Sequence, residues 1–255
     1  MCGVGETGSV GFLRRRSTQG LPEDWEDQVA RRFPGWWDIP LEPRTRIRDL
    51  SEVLLATKRW EAARGFEITD EVRLVIATQA SRLLVGLDTD TFTNVRTIIV
   101  HAAELVSSGE RAGPVDGVYE DDDVWLAGEA AHGNGPVVLA WDEVVWDLRH
   151  PRKGRNVVIH EFAHKLDMLD DVVDGTPLLL GGDLRERWIR VCTEVFRELE
   201  ANGSPVLDDY GAEDPGEFFA VATETFFTRP AALREHHSDL YEVLAEYFRQ
   251  DPVAG

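Results

Sequence analysis

Cysteine is almost missing from this 255-residue chain, which has only Cys2 and Cys192. That excludes a disulfide scaffold and any cysteine-based zinc site, and it suits a reducing cytoplasm, the expected location. Positive charge is also scarce. Lys and Arg number 27 against 47 Asp and Glu, for a formal net charge of −20 at pH 7. Such a surface repels phosphate backbones and anionic headgroups, so neither nucleic acid nor membrane is expected as a direct partner. No apolar run approaches the roughly 20 residues needed to span a bilayer. The first twenty residues are Gly-rich, and their basic cluster of Arg14, Arg15 and Arg16 follows the short apolar stretch instead of preceding it. Residues 1–20 therefore read as a flexible tail and not as a signal peptide.

The hydrophobic content, 43%, is ample for a sizeable core. From residue 21 to about 87, apolar side chains recur at helical spacing, with Trp25, Val29 and Phe33 first and Val72, Ile76, Ala80, Leu83 and Leu84 later. Thr69, followed by Asp70 and Glu71, marks a helix start. Between 94 and 146 the pattern changes to short β-like segments at 95–100, 115–119, 124–126 and 136–141, separated by Gly-containing turns. Helical patterns return over 155–169, 184–200, 215–227 and 240–249. The class is α+β, mainly helical with a small mixed sheet. With no repeat or composition break, residues 21–255 read as a single domain. Its N-terminal half, 21–90, is helical, and 91–255 carries the sheet and the helices that bear the chemistry.

The chemistry sits in NVVIHEFAHKLDMLD, residues 156–170. On a helix these residues separate into two stripes. Val158, Phe162, Leu166 and Leu169 face the core. His160 and His164, one turn apart, face the other way, so two imidazole nitrogens can reach one ion. Glu161 lies about 60° around the helix from His164 at roughly 100° per residue, where its carboxylate approaches a metal-bound water without being a ligand. This is the HExxH arrangement of a zinc hydrolase, with one Zn2+ per chain and Glu161 as general base.

Zinc needs a third protein ligand, and three carboxylates compete for the place. Asp170 holds the ligand position of the metzincin pattern, but Asp167 replaces the glycine that turns the chain there. The later segment DYGAEDPGEFFAVATETFF, 209–227, supplies a second helix, with Asp214 as N-cap and Pro215 at its first position. Glu217 and Glu224 share a face of it, and Glu217 is the preferred ligand, although a Glu three residues after an Asp cap also satisfies the capping-box pattern. Glu224 is either the ligand or a carboxylate that orients a ligating His through its other ring nitrogen, and Asp167 is a second candidate for that orienting role. Tyr210, just before the helix, is a candidate donor to a tetrahedral oxyanion, with a buried loop tyrosine as the alternative. The strand at 136–141 is a candidate edge for an extended peptide.

At these residues the chain resembles the Mlc titration factor A family of bacterial zinc-dependent peptidases, named after a transcriptional repressor that a member binds. The similar segments are GEAAHGNGPVVLAWDEV from Gly128, NVVIHEFAHKLDMLD from Asn156, DYGAEDPGEFFAVATETFF from Asp209 and LYEVLAEYFRQDP from Leu240. With the helical stretch at 76–84 they cover roughly residues 45–252, while the first twenty residues have no counterpart. The resemblance implies a gluzincin-like core with zinc held by His160, His164 and Glu217, Glu161 catalytic and Tyr210 near the site. It also implies a peptide substrate, cleaved in an aminopeptidase-like or limited endopeptidase manner. The competing expectation is a zinc-containing regulatory protein that sequesters a transcriptional repressor without catalysis.

Overall fold

The structure is a computed structural model that describes residues 20–63, 65–89, 91–103, 135–179 and 181–253. In chain order the elements are α1 (Trp25–Arg32), α2 (Leu41–Thr57), β1 (Arg59–Ala62), α3 (Asp70–Leu83), β2 (Thr97–His101), β3 (Val137–Ala140), α4 (Trp141–Arg149) and α5 (Val157–Asp167), followed by α6 (Gly182–Asn202), α7 (Pro215–Thr228), α8 (Pro230–His236) and α9 (Ser238–Phe248). The α+β class and the predominance of helix are as expected. The strands at 97–101 and 137–140 fall where the sequence placed them, and the expected segments at 115–119 and 124–126 lie outside the described residues.

Among the described residues the sheet has three parallel strands in the order β1-β2-β3, with Arg59 opposite Thr97 and Ile98 opposite Val137. β1 corrects the all-helical reading of 21–87. Its sequence, RWEA, has no periodicity of its own and is only partly buried, so the strand exists because β2 supplies its hydrogen bonds. α4 is a second correction. Trp141, Val144, Val145 and Leu148 follow a helical i, i+3, i+4, i+7 spacing, and β3 runs into this helix with no loop between them.

α3 starts as expected, with Thr69 Oγ1 accepting from Val72 N–H at 3.3 Å and two acids in its first turn. It is buried on nearly every side from Leu74 to Leu83, because α1, α2 and α5 all pack on it. α5 is the structural axis of the site half. It lies against α7, α3, α4 and β3, and its apolar stripe of Val158, Phe162 and Leu166 is fully buried, with Phe162 edge-on to Phe92 at 4.9 Å between centroids. The buried hydrophobic side chains form one cluster from Trp25 to Phe248. Among the described residues no helix is long and apolar enough to cross a membrane.

One glycine locks the chain that leaves α5. Gly175 has φ of 73°, and a β-carbon there would lie 2.2 Å from Pro215 O at the start of α7. Its N–H donates to Asp167 Oδ2 at 3.0 Å, and its carbonyl accepts from Trp188 Nε1 at 3.0 Å. The loop is thus tied to α5, α6 and α7 at a single residue. Gly175→Ala combines left-handed strain with a backbone clash and is expected to destabilise the protein by about 2–4 kcal/mol, read from the midpoint of chemical denaturation.

Candidate metal centre

The first turn of α5 is held by side chains from three directions. Asn156, the N-cap, accepts from Ile159 N–H through Oδ1 at 3.2 Å. Asp147 of α4 accepts from Val157 N–H through Oδ2 at 2.8 Å, and Glu224 of α7 accepts from Asn156 N–H through Oε2. Burial pushes the Asp147 carboxyl up, against the bond from Val157. With its start fixed, α5 directs His160 and His164 to the same side, with their Nε2 atoms 3.1 Å apart.

α7 begins as the sequence indicated. Asp214 Oδ1 accepts from Gly216 N–H at 2.8 Å and from Glu217 N–H at 3.0 Å, with Pro215 in the first turn. Only the backbone of Glu217 serves the cap. Its carboxylate faces the histidines, Oε2 lying 3.0 Å from His160 Nε2 and 3.5 Å from His164 Nε2.

His160, His164 and Glu217 therefore form a group that could hold a metal ion. Ligand atoms at tetrahedral angles around zinc, each 2.0–2.2 Å from it, stand about 3.3 Å apart. The observed separations of 3.0, 3.1 and 3.5 Å lie within a few tenths of an ångström of that spacing. Glu217 Oε2 is buried with no hydrogen-bond partner, and so is His164 Nδ1. A buried carboxylate oxygen 3.0 and 3.5 Å from two imidazole nitrogens is the pattern expected of an atom that shares a proton or a metal ion with them.

The electrostatics point the same way. Burial works against charge on His160, but Glu217 and Glu224 outweigh it and push the imidazole up to about 10. Burial also opposes charge on Glu217, yet His160 and His164 hold its carboxyl far below the usual range. The site thus retains a proton strongly where the three atoms converge, and metal ions compete for that kind of position. His160 Nδ1 lies 2.7 Å from Glu224 Oε1. A carboxylate only accepts, so Nδ1 is assigned the hydrogen and Nε2 is left as the ligand atom. Glu224 thus orients His160 and does not join the converging group.

Glu161 stands beside the pair, and burial raises its carboxyl while His160 and His164 oppose the rise. Tyr210 is 46% exposed, with its ring centroid 5.9 Å from that of His160, so it is no buried loop tyrosine. Burial and then Glu217 push its phenol up to about 12. Asp170 is exposed on the turn after α5, where Oδ1 accepts from Val172 N–H at 3.2 Å, and takes no part in the group. Asp167 is fully buried on the bond from Gly175.

Sequence reasoning did not single out Asn156, Asp147 or Gln79. Asn156 carried a signal, since Asn immediately before an apolar-periodic run is a helix-start residue. Asp147 and Gln79 carried none, because their roles depend on packing between helices distant in sequence.

Known proteins resemble this chain over most of its length. The profile of the glucose-regulated metallo-peptidase M90 family matches residues 12–249. An uncharacterized protein of Synechocystis sp. is 35% identical over 237 residues, covering 91% of this chain and 86% of its own length. Mlc titration factor A of Pectobacterium atrosepticum is 28% identical over 240 residues, covering 91% and 88%. The Salmonella agona protein of the same name is 27% identical over 243 residues, covering 92% and 89%.

Asp167 carries a pH dependence of its own. Burial pushes its carboxyl up to about 6 from an ordinary 3.8, against the bond from Gly175. A folded value above the unfolded one means that folding retains a proton, so this group's share of stability falls as pH rises from about 4 to about 6 and is flat above. Asp167→Asn keeps an oxygen for Gly175 and is expected to remove that slope, a change on the order of 3 kcal/mol between pH 4 and pH 7, checked by denaturation across the range.

Proposed function

This chain belongs to the glucose-regulated metallo-peptidase M90 family, and from that premise we propose that His160, His164 and Glu217 bind one zinc ion and that the protein hydrolyses peptide bonds. The convergence of three ligand atoms at tetrahedral spacing carries this reading. Residues 21–255 act as one peptidase unit. The substrates are short peptides, cleaved in an aminopeptidase-like or limited endopeptidase manner, and the protein works in the cytoplasm.

When bound, zinc supplies Lewis acidity for the scissile carbonyl and makes water a stronger acid. Glu161 accepts the proton of the attacking water and delivers it to the leaving amine, a role suited to a carboxyl whose basicity burial has increased. Tyr210 keeps its proton at neutral pH and donates to the developing oxyanion, with its exposed position leaving room for substrate. β3 is an edge of the sheet among the described residues and packs on α5, so an extended peptide has a backbone to pair with. Lys165 on α5 fixes the approach to that strand, its Nζ donating to Gly135 O at 3.0 Å.

The names of the relatives favour a second reading. Two are called Mlc titration factor A, and a regulatory protein of that kind would use zinc to organise a surface that sequesters a transcriptional repressor.

Glu161→Gln separates the two readings. Under the peptidase reading it keeps about one equivalent of zinc and loses hydrolysis of short peptides by about 10²–10⁴-fold. Activity equal to wild type in that variant would exclude the mechanism, and under the second reading repressor capture survives the substitution. Glu217→Ala is expected to lose stoichiometric zinc, measured by elemental analysis after dialysis, whereas Asp170→Ala keeps it.

A further inference from the structure

Behind the candidate metal centre lies a run of buried polar side chains that reaches into the N-terminal half of the protein. Arg82 and Gln79, one turn apart on α3, begin it, with Arg82 Nη1 donating to Gln79 Oε1 at 2.8 Å. The same oxygen accepts from Asn156 Nδ2 at 3.0 Å. Asn156 then donates its backbone N–H to Glu224 Oε2, and Glu224 Oε1 takes the Nδ1 hydrogen of His160 at 2.7 Å. All four residues behind His160 are buried.

Each link has one arrangement open to it. Gln79 Oε1 receives two donors, so its carboxamide cannot turn over without presenting an NH2 group to a guanidinium. Asn156 is set from both ends, since Nδ2 goes to Gln79 and Oδ1 to Ile159 N–H. Arg82 is anchored in its turn. Its Nη2 donates to Phe227 O at 2.7 Å, and its guanidinium lies over the rings of Phe33 and Phe227 at 5.0 and 5.7 Å. Phe227 is on α7 one turn beyond Glu224, so a single α3 side chain holds the helix that carries Glu224 while its neighbour holds the residue that caps α5. Arg82 makes no ion pair among the described residues, and Glu224 is a buried carboxylate. Burial alone works against the charge on Arg82, whose bonds go to a carboxamide oxygen and a backbone carbonyl.

We infer that Gln79 and Arg82 are positioning residues for the candidate metal centre: through Asn156 they fix the Glu224 carboxylate, and Glu224 fixes the ring of His160 so that Nε2 points at the convergence with His164 and Glu217. The consequence for zinc rests on the peptidase reading, but the positioning itself does not need the ion.

The full-length protein tests this with two readouts. In metal-free protein, nitrogen-edited NMR follows the His160 Nδ1 hydrogen. Gln79→Leu removes the shared acceptor, and the resonance is expected to move upfield and exchange with water at least about 10-fold faster. Gln79→Glu keeps an oxygen for both donors and is expected to restore it. With Zn2+ as the probe in a chelator competition, Gln79→Leu is expected to bind about 10–100-fold more weakly and Gln79→Glu within about 3-fold of wild type. Combined with Glu224→Gln, Gln79→Leu should add little further loss, because both act through one carboxylate. If Gln79→Leu does not fold, Asn156→Ser keeps the helix cap and breaks the same link. A lower melting temperature with an unchanged Nδ1 resonance and unchanged zinc affinity would overturn the inference and leave Gln79 a purely structural residue. If wild-type protein takes up no Zn2+, the peptidase reading fails, and the Nδ1 resonance still decides the positioning role.

Discussion

Two imidazole nitrogens and a carboxylate oxygen stay about 3 Å apart only when a proton or a metal ion lies between them and the surrounding structure holds them in place, and the rest of this molecule depends on meeting that constraint. Two of the donors are on α5 and the third is on α7. The fold must therefore fix the relative position of two helices to within a few tenths of an ångström, and it does so at several points. Asp214 sets the first turn of α7, Asn156 and Asp147 set that of α5, and Gly175 wedges the intervening loop against both. The apolar contact of Phe162 and its neighbours supplies the larger share of the free energy, but packing alone tolerates small slides that a metal site does not.

The carboxylates around the site show how environment assigns roles. Glu217, Glu224, Glu161 and Asp167 all lie on or beside the same pair of helices, and residue type alone does not distinguish them. Glu217 is held ionised by two imidazoles, Glu161 is made more basic by burial, Glu224 is occupied by an imidazole and a backbone N–H, and Asp167 is committed to the loop. The choice of Glu217 over Asp170 thus has a geometric basis. The turn after α5 leaves Asp170 in solvent, whereas the proline-led start of α7 directs Glu217 inward.

Local pattern made much of this legible in the sequence. The two stripes of α5, the start of α3 and the Asp-Pro entry to α7 each appear within a few consecutive residues, and the structure has them where the pattern put them. What depends on distant partners was not legible. β1 is a strand only because β2 lies beside it. α4 showed helical spacing but followed a strand without a break, which hid its start. Beyond Gln79, the run to Glu224 joins residues 77 and 68 apart in the chain, and no window along the sequence contains both of those links.

Glu224 serves two clients at once. One of its oxygens holds the entry to α5, and the other holds the ring of His160. Any opening that frays the start of that helix therefore also releases the imidazole, so a partly unfolded molecule would lose its grip on a metal before it loses most of its structure. Occupancy of the site would therefore report on the integrity of one helix start, and not on the hydrophobic core as a whole.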